Sequence, residues 1–171
     1  SYWAAIGAEA DEITEIRAIC TVGTKVYFGG RIATIGGVPV GPLYNGAMGI
    51  YDTATGIWET QIFSTYYGIY SFAVLGTDIY VAGSGLTSGY IQRYDTLTGI
   101  IWPLGVGLTL VPDDLGYCYA VAVVGTDVYV GGEFDDAGGV SVSNLARWDT
   151  VGLTWNAVGT GANGIVYALA D

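Results

Sequence analysis

Histidine is absent from this 171-residue chain, and cations are scarce, with five Lys and Arg against 16 Asp and Glu. The missing imidazole removes the commonest general base and the commonest transition-metal ligand, so copper or zinc sites using it cannot form within the chain. A net charge of −11 leaves no basic face to neutralise phosphates, which argues against nucleic acid as a partner. An anionic membrane surface would repel the chain for the same reason. Cys20 and Cys118 are the whole cysteine complement, too few for a disulfide framework or a four-cysteine metal site. No apolar run is long enough for a membrane span. The opening SYWAAIGAEADE lacks the basic start and apolar core of a signal peptide. It also lacks an initiator Met and opens on strand-like residues, as a matured protein or an excerpt from a longer one would.

What is present suits an all-β protein. Hydrophobic residues make up 51% of the chain and charged ones 12%, so the chain can fold and bury a sizeable core. With 28 Gly and 14 Tyr, and Val, Ile and Thr abundant, the composition fits many short strands joined by tight turns.

A repeat organises those strands. The anchors GTKVY (23–27), GTDIY (76–80) and GTDVY (125–129) lie 53 and 49 residues apart. Each follows an alternating run: residues 18–22, 71–75 and 120–124. Each leads into a strand ending at Gly29-Gly30, Ala82-Gly83 or Gly131-Gly132, and the Gly-Thr-Lys or Gly-Thr-Asp junction is what a tight hairpin requires. A third strand ends in Tyr51-Asp52, Tyr94-Asp95 or Trp148-Asp149. A turn holding Gly56, Gly99 or Gly152 then precedes a fourth strand with Trp58, Trp102 or Trp155, at aromatic-to-Trp spacings of 7, 8 and 7. The loop between the second and third strands varies more: counted from the last Gly to the third-strand aromatic, the spacing runs from 11 to 21 residues, as a presented surface on a constant scaffold would. Trp3 and its neighbours match the fourth strand, and residues 166–170 match the first. The order is therefore d, abcd, abcd, abcd, a, with residues 1–17 ending a preceding unit, 18–67, 68–116 and 117–164 forming three units, and 165–171 starting another. Residues 9–17 are the nearest approach to a helical pattern.

The double Gly, the aromatic-Asp and the fourth-strand Trp, recurring three times in register, resemble the kelch repeat. FDDAGGVSVSNLARWD (134–149) looks like the kelch-related repeats of bacterial and phage surface proteins. Ala82 and the unequal loops depart from that pattern. The resemblance implies β-propeller blades, each of four strands, set around an axis. Strand a agrees, with small residues on one face (Ala18, Cys20, Ser71, Ala73, Ala120, Ala122, Ala168, Ala170) and larger ones on the other (Ile19, Phe72, Val74, Val121, Val123, Leu169). A tightly packed strand in any sandwich would read the same way. Three blades fall short of the usual ring of about four to eight, so the expectation is a segment of a larger array, or strand contacts with a neighbouring copy.

Candidate sites are few. Glu133, Asp135 and Asp136 could offer calcium its oxygen ligands, but without Asp-x-Asp-x-Asp-Gly spacing a solvated turn is the simpler reading; Asp113-Asp114 reads likewise. Paired carboxylates for glycoside hydrolysis need a defined separation that sequence does not show. Gly152-Leu-Thr-Trp155 after Asp149 falls one residue out of register with the Asp-box of sialidase propellers, which is a structural turn. Only Arg17, Arg31, Arg93 and Arg147 could serve a sialidase arginine cluster, and a copper oxidase of galactose-oxidase type would lack its His ligands. Tyr94, Trp148 and the tryptophans Trp58, Trp102 and Trp155 recur in register and read as packing. Tyr44, Asn45, Tyr66, Tyr67 and Tyr90 fall in irregular places, where stacking on a sugar or a partner competes with ordinary burial. Cys20 and Cys118 read as buried thiols on the small-residue face, a blade apart.

These readings converge on a non-catalytic scaffold or binding module at a cell or virion surface, without cofactor or metal. It would bind itself or a neighbouring protein through loops or blade edges. A carbohydrate-binding propeller using Tyr44, Asn45, Glu133, Asp135 and Asp136 is the alternative, and a structural subunit of a surface filament or phage tail is a third.

Overall fold

The computed structural model of the chain describes residues 13–32, 34–35, 38–39, 47–63, 68–84, 90–110 and 116–170. Among these residues every regular element is a strand. The stretch with the nearest helical pattern enters β1 at Ile13, and its earlier residues lie outside the described ones.

The first sheet contains β1 (Ile13–Val22) and β2 (Lys25–Ile32). A two-residue hairpin, β3 (Thr34–Ile35) with β4 (Val38–Pro39), precedes β5 (Ala47–Asp52) and β6 (Ile57–Ile62). The second sheet is β7 (Gly68–Leu75), β8 (Asp78–Ser84), β9 (Ile91–Asp95) and β10 (Ile101–Pro103), followed by the short β11 (Leu108–Thr109). The third begins with β12 (Tyr117–Val124) and β13 (Asp127–Glu133). After β14 (Asp136–Ala137) and β15 (Val140–Ser141) it ends with β16 (Leu145–Asp149) and β17 (Thr154–Ala157). Each large sheet pairs its strands antiparallel in chain order, and β11, β14 and β15 form a small sheet of their own. The abcd order expected from the repeat is thus the hydrogen-bonded order of all three sheets.

The repeat residues have identifiable work in the turns. Gly23, Gly76 and Gly125 adopt φ of 59°, 62° and 64°, a conformation that suits glycine. The Asp of each aromatic-Asp pair accepts backbone N–H groups beyond it. Asp52 Oδ1 takes that of Ala54 at 2.8 Å, Asp95 Oδ1 that of Leu97 at 2.8 Å, and Asp149 Oδ1 those of Val151 and Gly152 at 2.9 Å. The Thr after it, Thr53, Thr96 or Thr150, donates its hydroxyl to the carbonyl of Thr24, Thr77 or Thr126 at 2.7 Å. The two hairpin turns of every sheet are thereby tied together.

One irregularity recurs in all three sheets. The first strand shifts register at Ile16/Ala18, Ile69/Ser71 and Cys118/Ala120, leaving Arg17, Tyr70 and Tyr119 as the extra residue of a β-bulge. A bulge breaks the two-residue alternation, so residues three apart come to share a face. Ile69 and Phe72 do so, and both lie against Gly29, where an added Cβ would sit 2.7 Å from Ile69 and 2.6 Å from Phe72. The bulge also corrects the expected place of Cys118. It pairs with Gly132 while Ala120 pairs with Gly131, neighbours that face opposite ways, so Cys118 leaves the small-residue face.

The second glycine of each pair has a different reason. A Cβ on Gly30 or Gly132 would collide with the backbone carbonyl of Glu15 or Tyr117, and on Gly83 it would lie 2.8 Å from the Gly68 carbonyl oxygen. The first position meets only side chains at Gly29 and Gly131, which explains why the second sheet tolerates Ala82 there.

The sheets pack in series. β7 contacts β1 and β2, while β12 contacts β7 and β8, so the three first strands are neighbours. Tyr27, Phe63, Ile69, Ile79 and Tyr94 form one core. Tyr80, Leu104, Val128, Phe134, Trp148 and Trp155 belong to another. Each such side chain contributes on the order of 2–3 kcal/mol by leaving water. Residues 165–170 have no sheet pairing. Val166 N–H donates to the Gly132 carbonyl at 3.1 Å, and Val166 and Leu169 cover Gly131, as Ile69 and Phe72 cover Gly29.

Candidate functional site

The second sheet turns a lateral row of cross-strand partners, Tyr80, Arg93 and Trp102, toward the third sheet. The matching rows are Tyr27, Ile50 and Glu59 in the first sheet, and Tyr129, Arg147 and Asn156 in the third. Trp102 reaches this row through its longer spacing. Trp58 pairs with Tyr51 and Trp155 with Trp148, but Tyr94 pairs with Ile101. One added residue moves a strand side chain to the other face. The expectation that all three tryptophans serve as equivalent packing is therefore corrected at Trp102. Trp155 is 7% exposed, its ring 5.2 Å from that of Trp148, and its Nε1 donates to the Leu104 carbonyl at 3.0 Å. Trp58 is half-buried against Phe28 and Tyr51. Trp102 is 48% exposed.

A second departure from the repeat meets the first. In the c–d turns of sheets one and two the fourth residue after Asp is Gly56 or Gly99, at φ 71° and 72°. In the third turn the glycine stands one residue early, and Leu153 occupies the left-handed position at φ 53°. A side chain there costs roughly 1–2 kcal/mol.

Between these residues lies a cavity of about 350 Å³ whose walls include Tyr80, Arg93, Trp102, Leu104, Trp148 and Leu153. That volume is near the lower end of small-ligand clefts. The walls are mainly aromatic and aliphatic, with one guanidinium. Arg93 Nη1 lies 3.5 Å from Asp78 Oδ2. Burial raises the Asp78 carboxyl above its ordinary value despite the opposing pull of Arg93, and burial likewise raises the Tyr80 phenol. The cavity presents flat apolar surface beside hydrogen-bond donors, which is an arrangement for binding.

The bulge residues form a second cluster. The Arg17 guanidinium lies 4.6 Å from the Tyr70 ring centroid, Tyr70 and Tyr119 are 5.2 Å apart edge to face, and Tyr119 and Tyr167 are 5.2 Å apart. Tyr119 also stacks on Tyr117 at 5.7 Å. The column crosses all three sheets at one end of their first strands.

Of the residues singled out in the sequence, Tyr44, Asn45, Tyr66, Tyr67, Asp113 and Asp114 lie outside the described residues. Tyr90 is buried at φ 69°. Glu133 ends β13. The Asp135 backbone N–H donates to the Thr109 carbonyl at 3.1 Å, its carbonyl accepts from Val142 at 2.9 Å, and Asp136 Oδ1 accepts the Gly139 N–H at 2.9 Å. These bonds brace the 133–144 loop on β11. Among the described residues no group of three or more His, Cys, Asp or Glu side chains is placed to hold a metal ion. Both thiols are free; burial pushes Cys20 up to about 12 and raises Cys118 as well. Sequence reasoning passed over Trp102, Leu153 and Tyr80 as ligand-facing groups. The signal for the first two was present in the 7, 8, 7 spacing and the displaced Gly152.

The fold is thus an all-β series of four-stranded antiparallel meanders. No protein-family model matches the chain and no curated protein is similar to it in sequence. Among solved structures, it is similar to the computationally designed Ika4 protein, with a TM-score of 0.64 at 13% identity over 99% of this chain and 88% of that one. It is also similar to an extracellular domain from B. thetaiotaomicron, with a TM-score of 0.51 at 12% identity, over 96% of this chain and 26% of the other. At these identities the likeness concerns the fold.

Proposed function

We propose that this chain is a non-catalytic scaffold and binding module of kelch-like propeller type, acting at a cell or virion surface and associating with copies of itself. The observation that carries this reading is the exposure of Ile16 and Ile19. In the repeat they correspond to Ile69 and Phe72, which cover Gly29, and to Val166 and Leu169, which cover Gly131. Yet Ile16 is 38% and Ile19 61% exposed. Strand β1 therefore presents the same two side chains, and the third sheet of a second copy has a seat of matching shape at Gly131. Occupying it displaces residues 165–170, which hold that seat without sheet pairing. The contact is head-to-tail, so it closes into a ring or extends as a filament according to its rotation; the filament-subunit reading is the open form of the same contact.

Light scattering on the full chain across a range of concentrations tests this. An assembly larger than one chain that Ile19→Glu returns to monomer is the expected result. A monomeric mass at every concentration, or an assembly indifferent to Ile19→Glu, overturns it.

A further inference from the structure

We infer that the cavity between the second and third sheets is a binding site for a neutral pyranose sugar, held against the indole of Trp102. Two departures from the repeat meet there, next to an arginine. Trp102 stands where the other sheets carry Glu59 and Asn156, because its hairpin is one residue longer. Leu153 takes a left-handed conformation where the other turns use Gly56 and Gly99. Beside them stands Arg93, at a position that Arg147 holds in the third sheet and Ile50 in the first. None is needed to build a four-stranded sheet, since the first sheet forms without any of them.

The chemistry of the walls selects the ligand. A half-exposed indole offers an apolar face to the axial C–H groups of a pyranose ring, and the opposite wall supplies Trp148 and Leu153. Arg93 is neutralised by a single contact to Asp78 and has five N–H donors, which suits ring hydroxyls. The chain's net charge of −11 opposes an anionic guest, and an isolated cation would meet Arg93. A volume of about 350 Å³ admits one or two sugar rings. This inference is independent of self-association.

Titration of the full chain with methyl β-glucoside, methyl β-galactoside and methyl α-mannoside tests it, read by tryptophan fluorescence and calorimetry. At least one should bind in the millimolar to micromolar range. Trp102→Ala should weaken it at least about tenfold, while Ile57→Ser, on the exposed edge of the first sheet, leaves it unchanged. Retained circular dichroism and a cooperative melting curve within a few degrees of the parent's for Trp102→Ala show that the loss is one of binding. No binding by any of the three, equal binding by Trp102→Ala, or a preference for a sialoside or an aromatic peptide overturns the proposal.

Discussion

Between the first and second sheets, Tyr27 and Tyr94 meet edge to face with centroids 6.3 Å apart, and Phe63 lies against Tyr94 at the same distance. Glu59, at the far end of that row, turns to Lys25 at 2.9 Å. Between the second and third sheets, Tyr80, Arg93 and Trp102 instead stand off from Trp148 and Leu153 around a cavity. Both interfaces grow from the same four-strand repeat. The differences include one added residue in the β9–β10 turn and a displaced glycine in the β16–β17 turn, and they show how small changes in a turn alter the interface that the repeat builds. Slips of that size are tolerated in exposed hairpins and change which side chains face the gap.

The largest expected effect separates two tryptophans that the repeat writes alike. Trp155→Ala should cost about 3–5 kcal/mol, as large aromatic truncations in a core do, and it strips the Leu104 carbonyl of its donor. Trp102→Ala should stay within about 1 kcal/mol, as exposed substitutions do. Urea denaturation measures both. A comparable loss at Trp102 would break the argument that register moved it out of the core.

The double glycine gives the next contrast. Gly132→Ala drives a methyl into the Tyr117 carbonyl, backbone that cannot swing aside, and should cost about 3 kcal/mol. Ala82→Gly removes a buried methyl but meets no such obstacle, and should cost about 1 kcal/mol. The ratio of the two, read from the same denaturation curves, checks that the second glycine serves close backbone approach. Equal costs would sink that reading.

How much could be read beforehand follows from what each residue contacts. The strand order was legible because the hairpins are local and their turn residues, Gly23, Asp52 and their counterparts, act within a few positions of themselves. The bulge was not legible. Arg17, Tyr70 and Tyr119 differ in chemistry, and only the pairing of Ile16 and Ala18 with Gly30 and Gly29 reveals the extra residue. The cavity lay in plain numbers, yet its meaning depended on which face of β10 looks toward the third sheet. The acidic loop attracted attention through composition, while the Asp136 carboxylate is taken up by the Gly139 N–H of its own turn and the Asp135 backbone bonds Thr109, distant in sequence.

A smaller effect sharpens the comparison from the other side of the gap. Leu153→Gly relieves a left-handed side chain and returns the third turn to the pattern of the first two. Stability should rise by about 0.5–1 kcal/mol, seen as a higher melting temperature. If the second interface binds a ligand, the same variant should bind it more weakly, because it loses one wall. A variant that melts lower would show that Leu153 is held there by packing.

The smallest effect is in acid, where the turns and the second interface move in opposite directions. Backbone N–H donors, from Ala54 to Asp52, Leu97 to Asp95 and Gly152 to Asp149, hold those three carboxyls below their ordinary value of 3.8. A carboxyl depressed on folding contributes stability that is complete above its unfolded value and is lost as pH falls through the folded one. Asp78 is raised by burial, so its protonation favours the folded state and works against that loss as pH falls. Melting temperature followed from about pH 5 to about pH 2 should therefore fall less steeply in Asp52→Asn/Asp95→Asn/Asp149→Asn, whose amide oxygens still accept the turn N–H groups without titrating. Asp78→Asn should instead steepen the fall, because the opposing proton uptake is gone. A triple variant with the parent's slope would mean that the turn carboxylates are not what acid disrupts first.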